Sequence, residues 1–498
     1  MLDNLIIGFE FALSWQHLIW CFIGVFFGTA IGVLPGIGPI ATISILLPFT
    51  YSLGDPGGSI IMMAGIYYGA QYGGSTTAIL VNLPGEVGSL VTTLDGYQMA
   101  KKGRAGPALA ISALGSFFAG TISIFFIAGL ASPLSELALK FGPTEYTSLM
   151  IFGIASAVIL SQNGYLKGLG MALVGILFST VGTDVHTGEV RFTFGSIYLL
   201  DGFSFAIMVI GMFGMSEIIY NIIHLTDDQK KSISKIGKIW PTNKDFKKAI
   251  PACLRGTIIG SLMGILPGVG SVFSAITSYV VEKKISKTPE QFGKGAIEGV
   301  AGPESANNAG AQTSFIPMLT LGIPVTPVMA IMMATLMIHD IQPGPQFILK
   351  NPELFWGLIA SFWVGNLFLL FLNLPLIGIW VKLLKISWRI LYPLIICFCI
   401  VGSYFINYSW SDVFFILIPF SILGYLFKIC DCNPAPLLMG FVVGGMMEEY
   451  LRRALIFSNG DWMIFFQKPI SLSLFLIGVI LILILNFKYF FIKFDKDK

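Results

Sequence analysis

Charge is what this sequence of 498 residues most lacks: Asp, Glu, Lys and Arg make up 11% of it, against roughly a quarter in a soluble domain. Since 55% of the residues are hydrophobic, there is too little polar surface to cover a water-soluble globule of this size. Thirty basic and 27 acidic residues leave a formal net charge of +3, which excludes the electrostatic footprint of a nucleic-acid binder. The first hundred residues hold no Lys or Arg. The N-terminus, MLDNLIIGFEF, lacks a basic n-region and a small-residue cleavage site, so it does not read as a removable signal peptide. Histidine is nearly absent, and His17, His186, His224 and His339 are scattered. Neither HExxH nor GxxxxGK[ST] occurs, which removes the usual signatures of an intramembrane metalloprotease and of an ATPase. Six cysteines lie mostly in or beside apolar runs, and Cys430-Asp-Cys432 lacks the spacing of a zinc or redox motif. They read as small buried apolar residues.

Long apolar runs are what remains. At about 20 apolar residues per crossing, the chain is expected to be an all-α polytopic membrane protein with about 10–12 membrane segments. The stretch DDQKKSISKIGKIWPTNKDFKK (227–248) carries seven lysines near the midpoint. It divides the chain into a first transmembrane repeat (1–225), a basic linker (226–249) and a second repeat (250–498). Residues 32–39 read GVLPGIGP and residues 264–271 read GILPGVGS, an offset of 232 that points to duplication. YGGSTTAILVNLPG (72–85) similarly answers NAGAQTSFIPMLTLGIP (308–324), and LGSFFAG (114–120) answers IASFWVG (359–365).

The basic loops alternate in opposite phase between the halves. YSLGDPGG (51–58) has no basic residue, whereas its counterpart EKKISKTPEQFGK (282–294) has four lysines. KKGR (101–104) is basic, whereas DIQPGPQFILKNPE (340–353) holds one lysine against two acids. Because basic loops stay cytoplasmic, the repeats are expected to have inverted topology, with residues 101–104, 283–294, the linker and the C-terminal tail in the cytoplasm. An extra apolar segment near 412–427 breaks the pairing.

Proline removes a backbone donor and glycine favours non-helical dihedrals, so LPGIGP and LPGVG should break or re-enter the helices that contain them. Paired breaks in two repeats point to a transporter site, with half-helix N-termini aimed at an anion. The glycine spacing is not a dinucleotide fingerprint, since a third glycine and a βαβ context are missing. A second pair of interruptions is expected over the polar segments, where amides and hydroxyls can bind carboxylate oxygens or Na⁺. Candidate substrate ligands are Pro35, Gly36, Gly38, Ser75, Thr76, Thr77 and Asn82 in the first half. Their counterparts are Pro267, Gly268, Gly270, Asn307, Asn308, Gln312, Thr313, Ser314 and Pro324. Close helix packing is the alternative for any one of them. Asn82, Glu304 and Thr313 are candidates for a coupling ion, Na⁺ or H⁺. Of the ionisable residues nearby, Glu86, Asp95, Glu298, His339 and Asp340 read as solvated or interfacial. Glu304, in GPESANN directly before a polar cluster, stands apart as a functional carboxylate.

The repeated GxLPGxG motifs, YYGAQYGGSTTAILVNLPGE (67–86), LDGYQMAKKGRAGPAL (94–109) and EGVAGPESANNAGAQTSFIPMLTLGIP (298–324) strongly resemble the large membrane subunit of tripartite tricarboxylate transporters, over nearly the whole chain. The resemblance implies a permease of the bacterial inner membrane for citrate-like tricarboxylates or related carboxylates. It also implies a small membrane subunit, a periplasmic solute-binding protein, symport with a cation gradient, no other cofactor and no enzymatic activity. The rival classes are an anion-selective channel, which would need a continuous polar path or charged rings, and a structural scaffold, which has little use for paired broken helices.

Overall fold

The computed structural model describes residues 2–34, 38–52, 54–138, 140–159, 164–184, 187–224, 236–266, 270–344, 346–384 and 388–478. The first half begins with helices α1 (Leu2–Ala12), α2 (Trp15–Gly32), α3 (Gly38–Ser52), α4 (Pro56–Val81) and α5 (Leu90–Lys101). It continues with α6 (Ala105–Ala138), α7 (Pro143–Ile159), α8 (Tyr165–Ser179), α9 (Phe205–Val209) and α10 (Ser216–His224), the last two joined by a π-turn at Ile210–Met215. The second half holds α11 (Asn243–Gly264), α12 (Gly270–Ile285), α13 (Glu298–Thr313), α14 (Phe315–Leu321), α15 (Pro327–Ile338), α16 (Phe347–Lys350) and α17 (Pro352–Asn373). Further helices follow to residue 478, of which Ala435–Phe457 packs on α7 and α8. Among the described residues the only strands are Gly182–Thr183 and Val190–Arg191, paired antiparallel.

Among the described residues, five helices are long and apolar enough to cross a bilayer: Trp15–Gly32, Ala105–Leu130, Phe205–His224, Pro352–Asn373 and Trp410–Ile429. Shorter apolar helices accompany them, including Tyr165–Ser179 and Pro327–Ile338. The protein is an all-α polytopic membrane protein.

Local chemistry sets the helix ends. Asp55 caps α4 through the Gly57 amide, with Pro56 at the first helical position. Thr242 and Asp245 form a capping box at α11. Helix α2 stops at Gly32, and α3 starts at Gly38 with φ +67; α11 stops at Gly264, and α12 starts at Gly270 with φ +55. The two breaks therefore fall where the proline and glycine motifs put them.

The interruption expected across residues 72–85 is shorter than the sequence implied. Helix α4 runs unbroken through Gln71, Ser75, Thr76 and Thr77 and ends only at Val81. Thr76 bonds the Tyr72 carbonyl of its own helix at 3.4 Å, and the Ser75 hydroxyl, 3.0 Å from the Gln71 carbonyl, gives its one proton to a carboxylate on a neighbouring helix. Their polarity is thus satisfied without opening the backbone ladder. The chain turns where Asn82 adopts a left-handed conformation, and α14 ends the same way at Gly322.

The most extensive helix pairings are α2 with α4 and α11 with α13. Both rest on glycine ladders. A Cβ on Gly24 would lie 2.2 Å from the Met62 carbonyl oxygen, and one on Gly28 2.3 Å from that of Ile66. A Cβ on Gly256 or Gly260 would lie 2.2 or 2.3 Å from the Gly302 or Ala306 carbonyl oxygen. Small residues thus bring backbones into direct contact, as membrane interfaces favour. Packing also crosses the linker reciprocally: α6 lies on α13, and α17 on α4. Likewise α3 touches α15, and α12 touches α5.

Candidate functional site

Helix α13 is polar yet enclosed by protein, with every residue from Gly299 to Thr313 buried. Residues 57–80 of α4 are buried as well. The polar face of α13 meets α4, α5 and α6, and its charge is concentrated in Glu304, which is 0% exposed. Ser75 Oγ of α4 donates to Glu304 Oε2 at 2.5 Å, and Thr92 Oγ1 of α5 donates to Oε1. Three elements from both halves thus converge on one carboxylate.

One turn further along α13, Asn307 Nδ2 donates to Glu86 Oε1 at 2.8 Å, and the Gly88 amide donates to Glu86 Oε2 at 3.0 Å. Glu86 is 6% exposed. No Lys, Arg or His among the described residues pairs with Glu86 or Glu304. Removing a carboxylate from water costs several kcal/mol even after relaxation, and neutral hydroxyls and amides offset only part of this. Such a site favours a proton or a hard cation bound by oxygen ligands.

The surrounding polar groups are incompletely satisfied. Asn308 Nδ2 donates to Ser116 Oγ at 2.7 Å and to the Glu304 carbonyl at 3.1 Å. Gln312 of α13 and Asn366 of α17 meet over Gly120 of α6, where a Cβ would lie 2.9 Å from one amide nitrogen and 2.5 Å from the other. Gln312 Oε1, Asn366 Nδ2, Asn307 Oδ1 and the Tyr72 hydroxyl are buried without a hydrogen-bond partner. The Tyr67 hydroxyl lies beside Gln71 and beside Ser271 at the start of α12. Gly270 abuts Thr326, and the turn Val87–Ser89 packs on α12. The start of the second half-helix therefore sits against the turn before α15, and α12 packs on the turn after α4 as well.

Other candidates serve the helix breaks. Thr77 Oγ1 donates to the Val33 carbonyl at 2.5 Å, and Ser314 Oγ donates to that of Gly264 at 3.1 Å. Each lies against a carbonyl freed where a helix stops, and Ser314 Oγ is closer still to the Gly310 carbonyl, at 2.7 Å. Thr313 bonds the Ala309 carbonyl of its own helix at 3.0 Å. Asn82 is exposed at its turn, and Pro324 is buried in the matching turn. Gly38 begins α3 with nothing within 4 Å of its Cβ position. Pro35, Gly36, Pro267 and Gly268 lie outside the described residues.

Two carboxylates that read as solvated are buried. Glu86 belongs to the site above, because the α4–α5 turn folds it inward against α13. Asp95, 0% exposed, accepts from the Tyr279 hydroxyl at 2.9 Å and from the Gly295 and Ala296 amides at 2.7 and 2.8 Å. Its three neutral donors come from α12 and from the loop before α13, so it clamps α5 to both. Glu298 pairs with Lys248 at 3.5 Å, and Asp340 is exposed, as an interfacial reading requires. Sequence reasoning did not select Thr92, Ser116, Tyr67 or Asn366. It also passed over the ladder Gly24, Gly28, Gly32, although this recurs 232 residues later as Gly256, Gly260, Gly264.

Residues 18–439 match the tripartite tricarboxylate transporter TctA family. An uncharacterized 52.8 kDa protein in the TAR-I ttuC' 3' region of Agrobacterium vitis is 52% identical over 484 residues, 97% of this chain and 96% of that protein. An uncharacterized protein in the TAR-II ttuC' 3' region of the same organism is 55% identical over 225 residues, 45% of this chain and 93% of that protein. No solved structure matches. With the family match spanning most of its length, the chain belongs to the tripartite tricarboxylate transporter TctA family and is a multi-pass membrane protein of that transporter family.

Proposed function

We propose that this chain is the permease subunit of a secondary transporter that imports tricarboxylates, or related carboxylates, across the bacterial inner membrane on a Na⁺ or H⁺ gradient. A periplasmic solute-binding protein delivers the substrate, and a small membrane subunit completes the assembly. Family membership supports the class. The observation that carries the mechanism is Glu304, buried among Ser75 and Thr92 hydroxyls with no basic partner. A co-transported cation supplies the missing positive charge there. Substrate carboxylates are received by the amides and hydroxyls beside it and by the N-terminus of α12, whose dipole favours an anion. The two halves are inverted repeats, and movement of their polar helices exposes the site to each side in turn.

Reconstitution in proteoliposomes with the small subunit and the solute-binding protein tests this reading, using labelled citrate as the first substrate. Uptake should follow an imposed Na⁺ or pH gradient and should saturate. Uptake indifferent to both gradients would refute it.

A further inference from the structure

We propose that Gln71 reads a hydroxyl group on the substrate, so that the site selects hydroxycarboxylates over carboxylates of the same skeleton that lack one. The inference rests on the transport reading above and narrows the substrate class of that site.

Helix α4 carries Tyr67, Tyr68, Gln71, Tyr72 and Ser75 at the spacing of one helical face, and all five are buried. Ser75 donates to Glu304. One turn earlier, Gln71 is 0% exposed and has no partner for its amide nitrogen or its amide oxygen, and the Tyr68 and Tyr72 hydroxyls on the same face have none either. Among the described residues Gln71 is the only side chain with a donor and an acceptor both unpaired. Exchanging the nitrogen and oxygen of the amide changes nothing, since neither end has a partner. A buried amide in this state costs stability until something supplies it with a donor and an acceptor together.

A helix start lies within reach. The Tyr67 hydroxyl is beside Gln71 and beside Ser271, the second residue of α12. Helix α12 has 16 residues, and its first four amides have no partner within the helix. A Cβ on Gly270, where it begins, would meet only Thr326 Cγ2 within 4 Å among the described residues, so this end is not packed shut. A substrate carboxylate held by these amides and by the Tyr67 hydroxyl brings the substituents of its neighbouring carbon within reach of Gln71. A hydroxyl there is donor and acceptor in one group and matches both unpaired ends of the amide, whereas a hydrogen matches neither. Glu86 acts electrostatically on Tyr67 and opposes a bare anion, so the carboxylate binds together with the co-transported cation of the parent reading. A fixed water would satisfy Gln71 equally well and would confer no preference.

Binding of radiolabelled citrate to the purified chain in detergent tests this, without the solute-binding protein, whose own selectivity would mask that of the site. Displacement by unlabelled citrate should need about 10- to 100-fold less ligand than displacement by tricarballylate, the same skeleton without the hydroxyl. Q71L should erase the preference by weakening citrate alone. Its thermal midpoint should equal or exceed that of wild type, because Leu removes an unpaired buried amide. Q71M is the second variant should Q71L fold poorly. Y67F should weaken both acids alike, since its hydroxyl serves the carboxylate. Equal affinities in the wild-type chain, or a preference that survives in both Q71L and Q71M, overturns the inference and leaves gradient-driven uptake intact. Absence of citrate binding overturns it equally. Uptake indifferent to every cation gradient removes the parent reading as well.

Discussion

Asn82 and Gly322 end helices α4 and α14 in the same left-handed conformation, with φ of 61° and 70°. Glycine adopts it without strain, and Asn is among the few other residues that do so readily. N82G should therefore hold the fold within a few tenths of a kcal/mol, whereas N82L should cost about 1 kcal/mol or more in backbone strain. Thermal midpoints of the purified variants separate conformation from ligation. If the Asn82 side chain binds substrate or ion, N82G loses uptake while its midpoint stays that of wild type.

Glu304 makes a stronger demand. E304Q preserves an acceptor for Ser75 or Thr92 and should remain folded while losing cation-dependent uptake. E304A leaves the Thr92 hydroxyl without its acceptor in a buried site, at a cost of about 1–3 kcal/mol. Its midpoint should fall below that of E304Q. Uptake by E304Q at the wild-type rate would show that this carboxylate has no part in coupling.

The glycine ladders predict opposite outcomes for one and the same substitution. G28A and G260A each bring a methyl group to 2.3 Å from a backbone carbonyl oxygen, and backbone cannot swing aside as a side chain can. Overpacking of about 1–3 kcal/mol, or loss of folded protein, is expected. G129A on α6 has nothing within 4 Å of its new methyl and should raise the midpoint by roughly the 0.5–1 kcal/mol difference between Gly and Ala in a helix. Three similar midpoints would refute the ladder.

Arg104 and Asp245 tie the α5–α6 turn to the start of α11 at 2.6 Å. Burial opposes the charge on Asp245, but hydrogen bonds from Arg104 and Thr242 outweigh it and hold the carboxyl below its ordinary 3.8. Its folded pKa being depressed, its contribution to stability is fully present above about pH 5 and is lost as pH falls through 3.8 and below. The difference in midpoint between wild type and D245N should be constant near neutrality and shrink below pH 4. A difference independent of pH across that window would refute the ion pair.

The inversion of the halves has a direct test. D55C and E290C, each in a background without native cysteines, should react with an impermeant maleimide from opposite faces of oriented vesicles. Labelling of both from one face would sink the inverted arrangement.

Much of this was legible in the sequence because proline and glycine act locally. The breaks after Gly32 and Gly264 follow from residues within a few positions of each other, and so does the left-handed end at Asn82. Burial is not local. Asp95 stands six residues before Lys101, which marks an interface when only neighbours are counted, but its donors come from residues 279, 295 and 296. Glu86 was similarly obscured, since its neighbour Val87 is exposed while its partner Asn307 lies 221 positions away. Hydroxyl-rich stretches also misled about helix continuity, because a Ser or Thr that bonds the preceding turn is as compatible with a helix as with a ligand.

Direct backbone contact along the ladders limits how this molecule can move. Side chains that interdigitate can exchange rotamers and let one helix slide over another by small steps. Where Gly24 and Gly28 press on Met62 and Ile66, there is no such layer to shear. Any movement that keeps these contacts carries α2 with α4 as one body, and α11 with α13 as another. Ser75 is carried with the first and Glu304 with the second, so their mutual hydrogen bond reports the relative position of the two bodies. Movement between the two bodies would then bend the chain where the helices stop, near Gly38 and Gly270.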